Sequence, residues 1–218
     1  MVKYLTPADI KIILEQPNVH TSEGRRDLVL LSLLYDTGAR VQELVDLSVR
    51  DIRLDHPAKI QLTGKGRKSR WVPILQATVD LLKRYLNEQK LTSHEKYDYP
   101  LFCNRQRKRL TRAGVSYILS KYVQKGTTVS SQFPEGVTPH ILRHSKAMHL
   151  LEAGVNLIYI RDILGHVDVS STEVYARAST EMKREALSKL STVETPQVPS
   201  WTTDTDLMSW LKDFGKVK

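Results

Sequence analysis

One cysteine, Cys103, stands in a chain of 218 residues. A single thiol excludes an intramolecular disulfide and a cysteine-based zinc cluster. Long apolar runs are missing as well; none approaches the roughly 20 residues that a membrane-spanning helix needs. The opening stretch MVKYLTPADI has no apolar secretory core, so the expected compartment is the cytoplasm. Acidic residues are the minority charge, 24 Asp plus Glu against 33 Lys plus Arg, which leaves a net charge of +9. They are absent altogether from two stretches: KIQLTGKGRKSR (59–70) and NRQRKRLTR (104–112) each hold five basic residues and no acid. Either cluster alone reads equally well as a solvated loop. Together, in a chain of otherwise mixed charge, they suggest a surface that follows phosphates. Arg67, Lys68 and Arg70 of the first cluster, and Arg107, Lys108, Arg109 and Arg112 of the second, are its expected contacts.

A nucleotide-binding loop is also missing. TGKGRKSR places Lys65 between two glycines, but it does not match GxxxxGK[ST]. His140 and His144 have the i, i+4 spacing of a zinc-binding HExxH pair, yet Ile141 stands where that motif carries its general base.

What is there is an ordinary globular balance, 40% hydrophobic and 26% charged, on a chain long enough for one large domain or two small ones. TPADIKIILEQ opens with a Thr cap and Pro at the first helical position. GRRDLVLLSLLYDTG reads as an apolar helix stopped by Gly38. ARVQELVDLSVRDI starts a short helix whose apolar face is Val41, Leu44, Val45 and Leu47, with Arg40 and Glu43 projecting away from it. AKIQLTGKGRKSRWVPI is a β-hairpin around a basic turn. Helices follow at ATVDLLKRYLNEQK and TRAGVSYILSKYVQKG, separated by a polar loop at 92–100. TPHILRHSKAMHLLEAG repeats the Thr-Pro start and ends at Gly154, and NLIYIRDILG closes at Gly165. Short helices are expected at 170–179 and 180–190, then a linker over 191–203 with two prolines, then a small amphipathic helix over 204–218. The fold class is α+β, mostly helical, with one small antiparallel sheet.

Four segments can carry chemistry. In TPHILRHS, offsets of three and four residues put His140, Arg143, His144 and Ala147 on one side of a helix start, where free N–H groups favour an anion. Structural ion pairs are the competing reading. Arg40 follows a Gly break and can hold two phosphate oxygens with its planar fork, with Glu43 one turn later to orient it. Lys65 lies in a turn that can approach a backbone closely. Gly165 leaves His166 at a loop facing a pocket, and Tyr175 arrives nine positions later. A phenol with a pKa near 10 needs cations and a proton acceptor to become a nucleophile. Arg40, Lys65, His140, Arg143 and His166 supply both.

TGARVQEL, GKGRKSRWVPI, HILRHS, LGH and a following Tyr, in that order, resemble the catalytic domain of the tyrosine recombinases, the phage integrase and Xer-like group. LFCNRQRKRLTRAGVSYIL also looks like that family, and the resemblance covers about residues 5–190. It implies that Arg40 and Arg143 clamp a scissile phosphate and that Lys65 protonates the departing 5′ oxygen. His140 becomes an acid/base group for the tyrosine, His166 a donor to a phosphate oxygen, Tyr175 the nucleophile and Glu43 a supporting acid. Double-stranded DNA is the implied partner, with no metal, no cofactor and no membrane. Members usually carry a separate N-terminal DNA-clamping domain, whereas the match here starts near the first residue.

The implied reaction is site-specific recombination or integration through a 3′-phosphotyrosyl link. Two alternatives use the same residues: cleavage and resealing of the type IB topoisomerase kind, or DNA binding on this scaffold without cleavage. Leu207, Met208, Trp210, Leu211 and Phe214 form an apolar stripe on the last helix. Such a helix is commonly exchanged between neighbouring subunits in this family, which implies a homo-oligomer, a tetramer, on DNA; folding back on its own domain is the competing reading.

Overall fold

A computed structural model describes residues 3–130, 132–166, 172, 173 and 175, apart from the side chain of Lys65. The chain divides into two compact units, Met1–Ser179 and Thr180–Lys218, and every described residue lies in the first. The expected linker at 191–203, the helix at 204–218 and most of the two short helices before them lie outside the described residues.

The described residues include seven α-helices, three short 3₁₀ helices and one three-stranded sheet. Helix α1 spans Pro7–Glu15 and begins as its first residues dictate. The Thr6 hydroxyl accepts from the Asp9 amide, the Asp9 carboxylate accepts from the Thr6 amide, and Pro7 occupies the first position. Helix α2, Ser22–Asp36, is capped by Thr21 and runs through the core, burying Leu30, Leu31, Leu33 and Leu34. It packs against both α4 (Gln76–Glu88) and α6 (Pro139–Glu152). Its buried Asp27 is satisfied by Arg26 at 2.6 Å and by the Tyr122 hydroxyl at 2.8 Å. Helix α3, Val41–Asp46, follows a left-handed Gly38. A Cβ there would meet Leu164 Cδ2 at 2.8 Å, so this break demands glycine twice over.

The hairpin is formed by β2 (Lys59–Thr63) and β3 (Ser69–Pro73), paired antiparallel from Lys59↔Pro73 to Thr63↔Ser69. Ile60, Leu62 and Val72 point into the core while Trp71 is exposed. A third strand, β1 (Ile52–Arg53), adds to β2 and gives the order β1-β2-β3. Two residues are too short for an alternating pattern to announce a strand, which is why the sequence read as a hairpin alone. Helix α5, Arg112–Val129, is capped by Thr111. Helix α6 is capped by Thr138 with Pro139 first. Helix α7, Leu157–Leu164, ends at Gly165 with φ 65°. Among the described residues, no helix is long and apolar enough to cross a membrane.

The chain before α1 is strapped to α6. The Leu5 amide donates to Ser145 Oγ at 2.8 Å, and the Leu5 carbonyl lies 2.8 Å from His149 Nε2. A carbonyl only accepts, so Nε2 carries the proton and Nδ1 of the neutral ring takes the Tyr35 hydroxyl at 2.7 Å. This fixes the far side of the helix that presents His140, Arg143 and His144.

Candidate active site

The C-terminal end of α7 exposes carbonyls that no helical amide can reach, with the partial negative charge of a helix end behind them. Three consecutive ones draw three arginines from three different parts of the chain. Ile163 O accepts from Arg70 Nε at 2.7 Å and Leu164 O from Arg143 Nη2 at 2.6 Å. Gly165 O accepts weakly from Arg40 Nη2 at 3.5 Å. Arg143 also donates from Nη1 to Gly38 O at 2.6 Å. It thereby joins the turn before α3 to the end of α7.

Glu43 is the other anchor. Arg40 Nη1 and Arg70 Nη1 both lie 2.9 Å from its Oε1, and Arg70 Nη2 lies 2.9 Å from Oε2. The Arg40 amide donates to Oε2 at 2.9 Å. Glu43 therefore does not project away with Arg40, as the helical pattern suggested; it is 3% exposed. Four N–H donors offset its desolvation, an arrangement that only the fold brings together. Burial alone would raise its carboxyl, but Arg70 and Arg40 outweigh that and hold it at about 2.

Arg143 is 5% exposed, and its ordinary value is lowered to about 10 by burial and then by Arg40. Arg40 keeps 42% of its side chain open. The site thus has a buried, fixed guanidinium beside an open one. Burial, then Arg143, Arg40 and Arg70, push the His166 imidazole down to about 4. Its Nδ1 lies 3.0 Å from Thr172 Oγ1. His166 is a neutral ring in a cationic setting.

Tyr175 joins this group with helical backbone and 3% exposure. Its ring stacks on His166 at 6.4 Å between centroids, and its hydroxyl lies 2.7 Å from His144 Nδ1. Burial raises the phenol above its ordinary value, while Arg143 and Arg40 pull it back. The phenol is protonated here, with an imidazole placed to take that proton. Burial, His140 and Arg143 lower the His144 value, which keeps that ring able to accept.

Arg40, Glu43, Arg143, His166 and Tyr175 thus lie together in one cluster. Lys65 is the first residue of a short 3₁₀ turn, Lys65–Arg67, between the hairpin strands. Gly64 just before it packs on Glu43, where a Cβ would lie 3.0 Å from Oε1. His140 is exposed at the start of α6, and the ring at the phenol is that of His144. The sequence placed His144 on the right face without giving it a role, since its partner lies 31 residues away.

Two of the basic residues expected on a phosphate surface are spent inside. Arg70 is bound to Glu43 and Ile163. Arg109 donates to the carbonyls of Val45 and Leu47 at 2.8 and 3.1 Å and to Ser48 Oγ at 3.2 Å. Buried acceptors at fixed spacing outcompete solvent for an arginine fork. Arg67, Lys68, Arg107, Lys108 and Arg112 remain exposed.

Three guanidinium groups, two imidazoles and a buried phenol are gathered on a helical scaffold, a set able to hold an anion beside a nucleophile. The profile of the Phage integrase family matches residues 3–182, and the chain belongs to that family. It is 37% identical over 179 residues to tyrosine recombinase XerD of Listeria monocytogenes serotype 4b, covering 81% of this chain and 58% of that protein. The crystal structure of XerA recombinase matches with a TM-score of 0.69 at 28% identity, over 86% of this chain and 63% of that one. XerH recombinase bound to palindromic difH substrate in a post-cleavage complex matches at 0.70 and 26%, over 86% and 53%. The chain spans less than two thirds of the length of each of these proteins.

Proposed function

We propose that this chain is the catalytic part of a site-specific DNA recombinase that cuts and rejoins strands through Tyr175. The observation that carries the reading is the phenol of Tyr175, 2.7 Å from an imidazole and packed against His166 within the field of Arg40 and Arg143. The similarity to XerH in complex with its difH substrate supports double-stranded DNA as the partner.

In this mechanism the phenol passes its proton to the His144 imidazole, 2.7 Å away, and its oxygen attacks a backbone phosphorus. A 3′-phosphotyrosyl bond forms as the bond to the 5′ oxygen breaks, and Lys65 returns a proton to that oxygen. Arg40 and Arg143 offset the charge that develops on the phosphoryl oxygens. The covalent link keeps the energy of the phosphodiester, so resealing needs no ATP. Attack by the 5′ hydroxyl of a second duplex gives recombination. Arg67, Lys68, Arg107, Lys108 and Arg112 would follow the backbone.

Subunit assembly through residues 204–218 belongs to the same proposal and rests on their apolar stripe. Removing them should abolish assembly on DNA while a nicked duplex is still cleaved once. Unchanged assembly removes this part of the proposal. The reading itself is tested with a nicked duplex that traps the covalent adduct, and with two labelled duplexes that report exchange. Wild type should form the adduct and join partners, and Tyr175→Phe should do neither. Relaxation of supercoils without joined partners would point to topoisomerase chemistry instead.

A further inference from the structure

Arg70 is a cation in the basic hairpin, yet it points away from solvent. Its Nη1 and Nη2 form a planar fork on both oxygens of Glu43, each at 2.9 Å, and its Nε donates to Ile163 O at 2.7 Å. The guanidinium also lies against the bare Cα of Gly165, where a Cβ would fall 2.6–2.8 Å from its atoms. The glycine therefore gives the turn its left-handed backbone and leaves room for this arginine.

Two further contacts make the arrangement more than a local ion pair. The carboxylate that Arg70 grips also holds Arg40, through both its amide and Nη1. Gly64, on the other side of the turn Lys65–Arg67, rests on the same Oε1. Both ends of that turn are thus seated on the group that orients Arg40, and one end also holds the turn leading to His166. A lysine would keep the charge at position 70 but could not fork onto two oxygens and reach Ile163 O as well.

We propose that Arg70 is a positioning residue for strand cleavage: it joins the β2–β3 turn, the Arg40–Glu43 pair and the Gly165–His166 turn into one unit, so that docking of the turn on DNA sets the catalytic cluster. This rests on the strand-cleavage reading above. Arg70 acts through Glu43 and α7, and it makes no phosphate contact. Its loss leaves the number of neutralised phosphates unchanged and misplaces the reacting groups, a change that costs rate and spares affinity.

The test compares wild type and Arg70→Lys on one nicked duplex. Three quantities are read: the Kd as a function of salt, the single-turnover cleavage rate at saturating DNA, and amide hydrogen exchange at 164–166 with and without DNA. Arg70→Lys should bind within about twofold of wild type with the same salt slope, and cleave about 100-fold more slowly. DNA should increase protection at 164–166 in wild type and leave it unchanged in the variant. Wild-type cleavage by the variant overturns the proposal. A salt slope smaller by about one with normal saturated cleavage also overturns it, because that is the signature of a phosphate contact. Should the variant fail to fold, wild type alone decides: no gain of protection at 164–166 on binding DNA rejects the coupling. If wild type forms no covalent adduct, the cleavage reading fails, while the exchange data still judge the coupling.

Discussion

The two basic stretches look interchangeable as sequence, with five cations and no acid in each. The fold treats them alike up to a point. Each leaves cations at the surface, Arg67 and Lys68 in one and Arg107 and Lys108 in the other. Each also turns one arginine inwards, towards the same short helix. Arg70 grips Glu43 inside α3, and Arg109 holds the carbonyls of Val45 and Leu47 at the end of it. They differ in what they hold. Arg109 donates to Val45 O and adds a second donor to Leu47 O, which also accepts from the Leu101 amide at 2.9 Å, a structural task. Arg70 holds an ionised carboxylate that also orients Arg40, and it reaches the end of α7 as well. Charge counting places a basic surface; the acceptor each arginine meets decides whether it belongs to that surface.

This contrast can be broken by substitution. The largest effect is expected at Arg70→Ala, which leaves Glu43 buried without its fork. Stability should fall by about 3 kcal/mol in urea unfolding, and cleavage should fall at least as far as in the lysine variant. Arg109→Ala comes next. It should cost about 1–2 kcal/mol for the donors lost at Val45 O, Leu47 O and Ser48 Oγ, with cleavage at saturating DNA within a few-fold of wild type. A cleavage loss equal to that of Arg70→Ala would erase the distinction. Arg67→Ala and Arg107→Ala, both at the surface, should leave the unfolding midpoint unchanged and each lower the salt slope of DNA binding by about one.

The inner region should also be the pH-sensitive one. His166 sits at about 4 when folded against an ordinary 6.5, so the unfolded chain takes the proton first. Its contribution is complete above about pH 6.5 and is lost as pH falls towards 4. His144 and His149, both lowered chiefly by burial, act in the same direction. Glu43, held at about 2 against 4.5, adds a further loss below about pH 4.5. Urea midpoints should decline between about pH 7 and about pH 4.5, and His166→Asn should flatten part of that decline. An equal slope in wild type and His166→Asn would contradict the burial of that ring.

Much of this was legible because its causes are local. Thr-Pro starts, Gly stops and the alternation of Ile60 and Leu62 act within a few residues, and they set α1, α6, α7 and the hairpin. The convergence of Arg40, Arg143, His166 and Tyr175 came from the order of the sequence boxes. What stayed hidden depends on pairings across long stretches of chain. Glu43 looks exposed on a helical wheel because the arginine that buries it lies 27 residues away. His144 shows its partner only once the chain has returned through α7. Arg109 reads as a surface cation until Val45 and Leu47 are seen beside it.

The central claim is that one phenol among nine tyrosines becomes the attacking group because of the cluster around it. It is tested most directly by digesting the adduct formed on a nicked duplex and sequencing the DNA-linked peptide by mass spectrometry. The expected result is a phosphoryl link at Tyr175 alone, lost in Tyr175→Phe. A link at any other residue, or an adduct that persists in Tyr175→Phe, would contradict it.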